Sequence, residues 1–269
     1  MIDSHCHLDF SQFDSDREQV IAQAKSIGVK GILIPGTQAS QWPKQVSLAN
    51  QFDTFHFALG LHPYFLESTS EQHILDLDVL LNEHKSKVVA VGEIGLDFMI
   101  ETNEKRQQYF FESQLDLAVS HNLPVIIHHR RSHNQLIRTL KQKNVSRGGV
   151  IHAFSGSEQE ANTYIEMGFC LGIGGTITYA RAKKTKQAIS SIPLTSLLLE
   201  TDAPDMPMEG RQGQRNSPVY LPQVLDALSS IREESRSEIE QVTDSNFNRV
   251  FLSGESTCND DNGTCKKRG

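Results

Sequence analysis

Ile2-Asp3-Ser4-His5-Cys6-His7 opens the chain as a strand-like stretch that ends in a His-x-His pair. Side chains alternate faces along a strand, so His5 and His7 point to one side and Cys6 to the other. Two imidazoles on one face supply half of a zinc-type site. Later apolar runs supply the rest: each closes on or carries Glu93, His128, His152 or Asp202. For the first run to share a site with the last, the sheet between them must close on itself. An open sheet would hold Asp202 far from the histidine pair.

Short apolar runs alternate with longer amphipathic ones throughout. Strands are predicted over residues 2–7, 31–35, 55–61, 88–93, 124–128, 149–154, 169–173 and 197–202. Helical segments over 16–27, 104–121 and 158–167 lie between them, and two more over 218–231 and 234–251 close the chain. Phe111, Leu115 and Ala118 recur at helical spacing, which suits a core face. Eight strand–helix units in series call for a parallel sheet. The length of 269 residues matches a (β/α)8 TIM barrel, which typically needs about 250. In such a barrel the C-terminal strand ends converge on one mouth, where His7, Glu93, His128, His152 and Asp202 would meet. One barrel domain over residues 1–252 is expected, followed by a disordered polar tail over 253–269 that is poor in apolar side chains.

Composition narrows the classes of function. Hydrophobic content of 38% with 22% charged residues suits a water-soluble globular enzyme. Asp3, His5 and His7 stand where a secretory signal needs an unbroken apolar run, and no stretch approaches a membrane span. A cytoplasmic protein without a membrane association or an obligatory protein partner is expected. Four cysteines in a chain this long are not a disulfide framework: Cys6 and Cys170 read as buried thiols, and Cys258 and Cys265 fall in the tail. The net charge of −7 argues against unspecific attraction to nucleic acid but allows a local basic cleft. Candidates for it are Arg130 and Arg131, Arg181 with Lys183, Lys184 and Lys186, and Arg211 and Arg215.

Mixed imidazole and carboxylate donors suit divalent ions such as Zn²⁺, Mn²⁺ or Mg²⁺, and a carboxylate can bridge two of them. Glu93, midway in the strand series, is the bridging candidate. One ion would then take His5, His7, Glu93 and Asp202, and a second would take Glu93, His128 and His152. Such a pair of ions suits hydrolysis. Asp202 could orient the attacking water and take its proton. Glu200 should share the inward face of the last strand, as an orienting group or a further ligand. His62, in Gly60-Leu61-His62-Pro63, could donate a proton or bind a phosphate, or simply bond loop backbone. Arg130 suits bidentate phosphate recognition. His129 should face the helical shell. Asp97, in the loop expected beyond Glu93, reads as an orienting group.

These residues resemble the TatD family of metal-dependent deoxyribonucleases, within the amidohydrolase-like barrels, and in particular its bacterial YjjV-type branch. The motifs are Ile2-Asp3-Ser4-His5-Cys6-His7-Leu8-Asp9, Gly60-Leu61-His62-Pro63, Gly92-Glu93-Ile94-Gly95-Leu96-Asp97, Pro124-Val125-Ile126-Ile127-His128-His129-Arg130, His152-Ala153-Phe154-Ser155-Gly156 and Leu199-Glu200-Thr201-Asp202-Ala203-Pro204. They follow the family order as far as Asn246-Phe247-Asn248-Arg249-Val250-Phe251. The resemblance implies a nuclease with His5, His7, Glu93, His128, His152 and Asp202 as metal ligands, acting on DNA phosphodiesters, often from the 3′ end of single strands. Two places depart from the pattern. Tyr64 stands where the family often has a second histidine, and Arg131-Ser132-His133-Asn134 replaces a small residue followed by an acid. Both touch the substrate rim. Hydrolysis of esters, including aminoacyl-tRNA, or of C–N bonds remains open as an alternative. So does a metal-binding protein without catalysis, which the complete ligand set disfavours.

Overall fold

The computed structural model describes residues 1–253. All but Ser253 of the expected tail, including Cys258 and Cys265, lies outside the described residues. Eight parallel strands stand in sequence order: β1 (Ile2–Asp3), β2 (Gly31–Ile34), β3 (Phe55–Leu59), β4 (Val88–Asp97), β5 (Val125–Arg130), β6 (Gly149–Ile151), β7 (Phe169–Ile173) and β8 (Leu197–Leu199). Helices α1 (Arg17–Ser26), α2 (Trp42–Gln51), α3 (Gln72–Glu83), α4 (Glu104–Ser120), α5 (His133–Lys143), α6 (Glu158–Glu166) and α7 (Lys183–Ser191) alternate with them. Two further helices, α8 (Leu221–Ser229) and α9 (Arg236–Phe247), follow β8. No helix among the described residues is long and apolar enough to cross a membrane.

The sheet closes into a barrel where its two ends meet. Ser4 N–H donates to Leu199 O at 2.9 Å, Asp202 N–H to His5 O at 2.9 Å and His7 N–H to Ala203 O at 2.8 Å. The buried Asp3 carboxylate fastens the same seam, accepting from Thr201 N–H at 3.0 Å and Thr201 Oγ1–H at 2.6 Å. These bonds bring residues from opposite ends of the sequence into one site.

Period-2 alternation then sets the layers inside the barrel. Leu33, Ala90, Ile126, Val150, Cys170 and Leu198 form a buried apolar layer, capped from below by Phe247, Val250 and Phe251. Two residues further along their strands, on the same inward side, stand His128, His152 and Glu200. The polar layer is thus stacked directly on the apolar one, at the C-terminal ends of the strands.

Most strand ends differ from the sequence reading: β3, β6 and β8 stop two or three residues short of it, β5 runs two residues further, and β1 and β4 differ most. Regular β1 pairing stops at Asp3, because beyond it the backbone bonds both neighbours in turn: Cys6 N–H to Leu33 O, then His7 N–H to Ala203 O. A bend at Ser4 resets the alternation, after which His5 and His7 face the centre and Cys6 is fully buried in the outer packing. β4 instead runs on to Asp97, so Asp97 is a strand residue rather than a loop carboxylate. Gly95 allows this: at φ +147°, a Cβ there would lie 1.9 Å from His128 O. Only glycine lets β4 stay beside β5 at that point. The helical readings fare better. Phe111, Leu115 and Ala118 are buried on α4, whose first turn is capped by Asn103.

Candidate metal centre

Four donor atoms from three parts of the barrel face one another. His5 Nε2 and His7 Nε2 are 3.3 Å apart. Glu93 Oε2 lies 3.1 Å from the first and 3.6 Å from the second. Asp202 Oδ1 lies 3.6 and 3.5 Å from the same two nitrogens. Donors placed tetrahedrally about 2.0–2.2 Å from one ion would stand ~3.4 Å apart, so these four atoms match the edges of a zinc-type cage.

The other oxygen of Glu93 faces a second group. Oε1 lies 3.0 Å from His128 Nδ1, 3.3 Å from His62 Nε2 and 3.9 Å from His152 Nε2. Asp202 is divided in the same way, its Oδ2 lying 3.7 Å from His152 Nε2. A buried carboxylate oxygen on each side holds the two later rings. Glu200 Oε1 is 3.0 Å from His152 Nδ1 and also accepts from Ala153 N–H at 2.6 Å. Asp97 Oδ2 is 3.1 Å from His128 Nε2, while its Oδ1 accepts from Met99 N–H at 2.8 Å. Each ring thus turns one nitrogen toward a carboxylate and aims the other inward. His128 does so through a hydrogen bond to Asp97 and His152 through an ion-pair contact with Glu200, an arrangement that favours one ring orientation.

His62 differs from these rings. Its Nδ1 accepts from Tyr64 N–H at 3.1 Å, so the neutral ring carries its proton on Nε2. Burial, reinforced by the neighbouring His128, lowers its pKa to about 4, so the ring is neutral near pH 7. His62 Nε2–H is therefore a hydrogen-bond donor pointing into the centre, although the ring lies near Glu93 and His128.

Electrostatics bear on whether cations fit. Burial opposes charge on His152, yet Glu200, Asp202 and Glu93 outweigh it and raise its pKa to about 10. Against the same effect of burial, Asp202 raises His7, and Asp97 and Glu93 raise His128. Burial would raise Glu93 and Asp202 too, but the surrounding rings hold both below the usual carboxylate range. The donor set thus attracts positive charge, which divalent ions can supply in place of ring protons. Its mixed nitrogen and oxygen donors fit such ions.

Above these donors opens a cavity of about 530 Å³, lined on its rim by Phe10, Tyr64, Phe65, Arg130 and Met206. Arg130 ends β5 with an exposed side chain.

The model of the TatD-related DNases matches residues 2–252. The chain belongs to the TatD family. YjjV of Escherichia coli K12, described as an uncharacterised metal-dependent hydrolase, is 45% identical over 251 residues, 93% of this chain and 97% of YjjV. The crystal structure of that TatD homologue superposes with a TM-score of 0.91 at 44% identity, covering 93% of this chain and 97% of that one. The 3′–5′ ssDNA/RNA exonuclease TatD of Cronobacter sakazakii is 34% identical over 263 residues, 95% of this chain and 99% of the relative.

In this TatD-family chain, sequence reasoning located the inward-facing donors and missed what secures them. Asp3 and Asn216 are both buried. Asn216 Nδ2 donates to Thr201 O and Asp205 O, each at 2.8 Å, which pins the loop carrying Asp202. A buried acid beside His5 was the available signal for Asp3; Asn216 had none, because its partners are set by the fold. Gly172, in β7, makes room for the Glu200 carboxylate: a Cβ there would lie 2.0 Å from Glu200 Oε2. His129 reaches α6 as expected, its ring 6.2 Å from Tyr164, yet it also lines the cavity. Arg211 and Arg215 are engaged elsewhere, the first stacked 3.8 Å over Tyr220 and the second bonded to Asp16 at 2.9 Å.

Proposed function

We propose that this TatD-family metal-dependent hydrolase cleaves phosphodiester bonds of single-stranded DNA from the 3′ end, using two divalent ions. The observation that carries this reading is the division of Glu93, one oxygen toward His5 and His7, the other toward His128 and His152. His5, His7, Glu93 and Asp202 would hold one ion, and Glu93, His128 and His152 the other. Bound there, the ions would supply Lewis acidity toward the phosphate oxygens and lower the pKa of water. The 3′–5′ polarity draws support from the exonuclease of C. sakazakii.

The chain's own residues take the remaining roles. Asp202 is ionised near neutral pH and partly open to the cavity, so it can accept a proton from the attacking water. Arg130 offers its guanidinium fork to the non-bridging phosphate oxygens. His62 Nε2–H donates to a phosphate or leaving oxygen. Glu200 and Asp97 orient the His152 and His128 rings.

The test uses 3′-labelled single-stranded DNA with Mg²⁺ or Mn²⁺, wild type against Asp202→Asn, with and without chelator. Wild type should shorten the strand from its 3′ end, chelator should stop it, and Asp202→Asn should fall by roughly 10²–10⁴-fold. Turnover of a carbonyl ester with the DNA left intact would overturn the nuclease reading in favour of an esterase. Metal analysis after loading should give about two ions per chain, and fewer than one would overturn the centre itself.

A further inference from the structure

A second cavity, of about 720 Å³, adjoins the first and shares His129, Arg130 and Ser155 with it. Its wall also carries Arg131, Arg138 on α5 and Lys184 on α7, against a single carboxylate, Glu160. Glu160 is already engaged, accepting from Ser157 N–H at 2.6 Å and Ser157 Oγ–H at 2.7 Å, and Lys184 stands 3.8 Å away. The guanidinium groups of Arg130, Arg131 and Arg138 have no hydrogen-bond or ion-pair partner among the described residues. Arg17, Arg106, Arg215 and Arg232, by contrast, each bond a carbonyl or a carboxylate. In a chain of net charge −7, this is a local reversal of the field.

The backbone adds to it. α5 begins on this wall, and the hydroxyl of its leading residue Ser132 donates to Leu96 O at 2.8 Å instead of capping the helix. The first-turn N–H groups of His133, Asn134 and Gln135 are left at the cavity without a side-chain cap from Ser132. Arg131, in left-handed conformation at φ +53°, leads into that turn.

We infer that this cavity is a second anion subsite, which takes an internucleotide phosphate next to the scissile one, so that the substrate is an oligonucleotide rather than a single phosphodiester or a small ester. The inference rests on the nuclease reading above and narrows it. Arg130, common to both cavities, would lie between the two phosphates. A substrate with one phosphate leaves Arg131 and Arg138 without a partner and Lys184 with Glu160 alone.

The experiment compares wild type with the triple variant Arg131→Gln, Arg138→Gln, Lys184→Gln, which alters exposed side chains only. Two readouts are taken: kcat/KM on a six-nucleotide single strand and on bis-p-nitrophenyl phosphate, and anisotropy of a labelled DNA or RNA six-mer against salt. The expected result is a loss of about tenfold or more on the six-mer and a change under about twofold on the small diester. The slope of log affinity against log salt should fall by about 0.7, the contribution of the one phosphate contact on a single strand that the cavity makes. Equal loss on both substrates, or none on the six-mer, overturns the subsite and leaves the nuclease reading standing. If wild type hydrolyses no nucleic acid, the nuclease reading fails while the salt slope still decides the subsite: an unchanged slope overturns it, and a reduced one retains it as a nucleic-acid contact. The DNA and RNA arms separate the two sources of the phosphate.

Discussion

The two cavities at the barrel mouth handle charge in opposite ways. In the first, Glu93, Glu200 and Asp202 are surrounded by imidazoles, and Glu200 and Asp97 in turn hold His152 and His128. In the second, cationic side chains line the wall with few partners among the described residues. The difference follows from what builds each wall. Strand ends of a closed barrel hold side chains in fixed registers, where pre-oriented donors can be kept. The loop after β5 and the starts of α5 and α7 are exposed, where long flexible cations keep their charge hydrated and available. On the proposed reading, chemistry would belong to the first wall and selection of substrate to the second.

The comparison breaks most directly at Glu93. Glu93→Gln removes the charge that both donor groups share. Turnover should fall by about 10³-fold or more, as the loss of several kcal/mol of transition-state stabilisation requires, and metal content should drop with it. If kcat and metal stoichiometry survive, Glu93 does not bridge.

A smaller effect is expected one step back from the donors. Gly172→Ala would place a methyl group 2.0 Å from Glu200 Oε2 and push that carboxylate off His152. A 10- to 100-fold loss of activity or metal affinity is expected, with circular dichroism unchanged. Unaltered metal affinity would mean that Glu200 does not orient the ring.

At the border of the two cavities, Arg130→Lys keeps the charge and loses the fork. KM should rise roughly tenfold, the value of one charge-assisted hydrogen bond, with kcat nearly constant. An equal fall in kcat would move Arg130 into the chemistry.

The smallest expected effect lies away from both walls. His56, packed against Phe247 with ring centroids 5.3 Å apart, is held by burial below its ordinary pKa of 6.5. The unfolded chain therefore takes up this proton first as pH falls. The His56 contribution to stability is complete above about pH 6.5 and is lost as pH drops below it. Urea midpoints at pH 5.5 and 7.5 should differ less in His56→Gln than in wild type. An equal difference would show that this ring does not titrate on unfolding.

Much of the first wall was legible because strand alternation is a local property of the backbone. His5 and His7, or Ile126 and His128, share a face whatever the rest of the chain does. The end of β4 was not legible, since Gly95 reads as a loop signal until the backbone of His128 is seen pressed against it. The second wall was legible only as composition. Arg131, Arg138 and Lys184 look no different in sequence from Arg211 and Arg215, which the fold commits to Tyr220 and Asp16.

The sequence by itself determined the alternating series, the barrel it implies and the identity of the inward-facing donors, because each depends on spacing along one strand. Only the tertiary structure decided which oxygen of Glu93 faces which ring, that His62 presents a proton, that Asp3 and Thr201 lock the seam and which cations stay unpaired. These depend on distances between elements far apart in the chain, and closure of the barrel sets those distances.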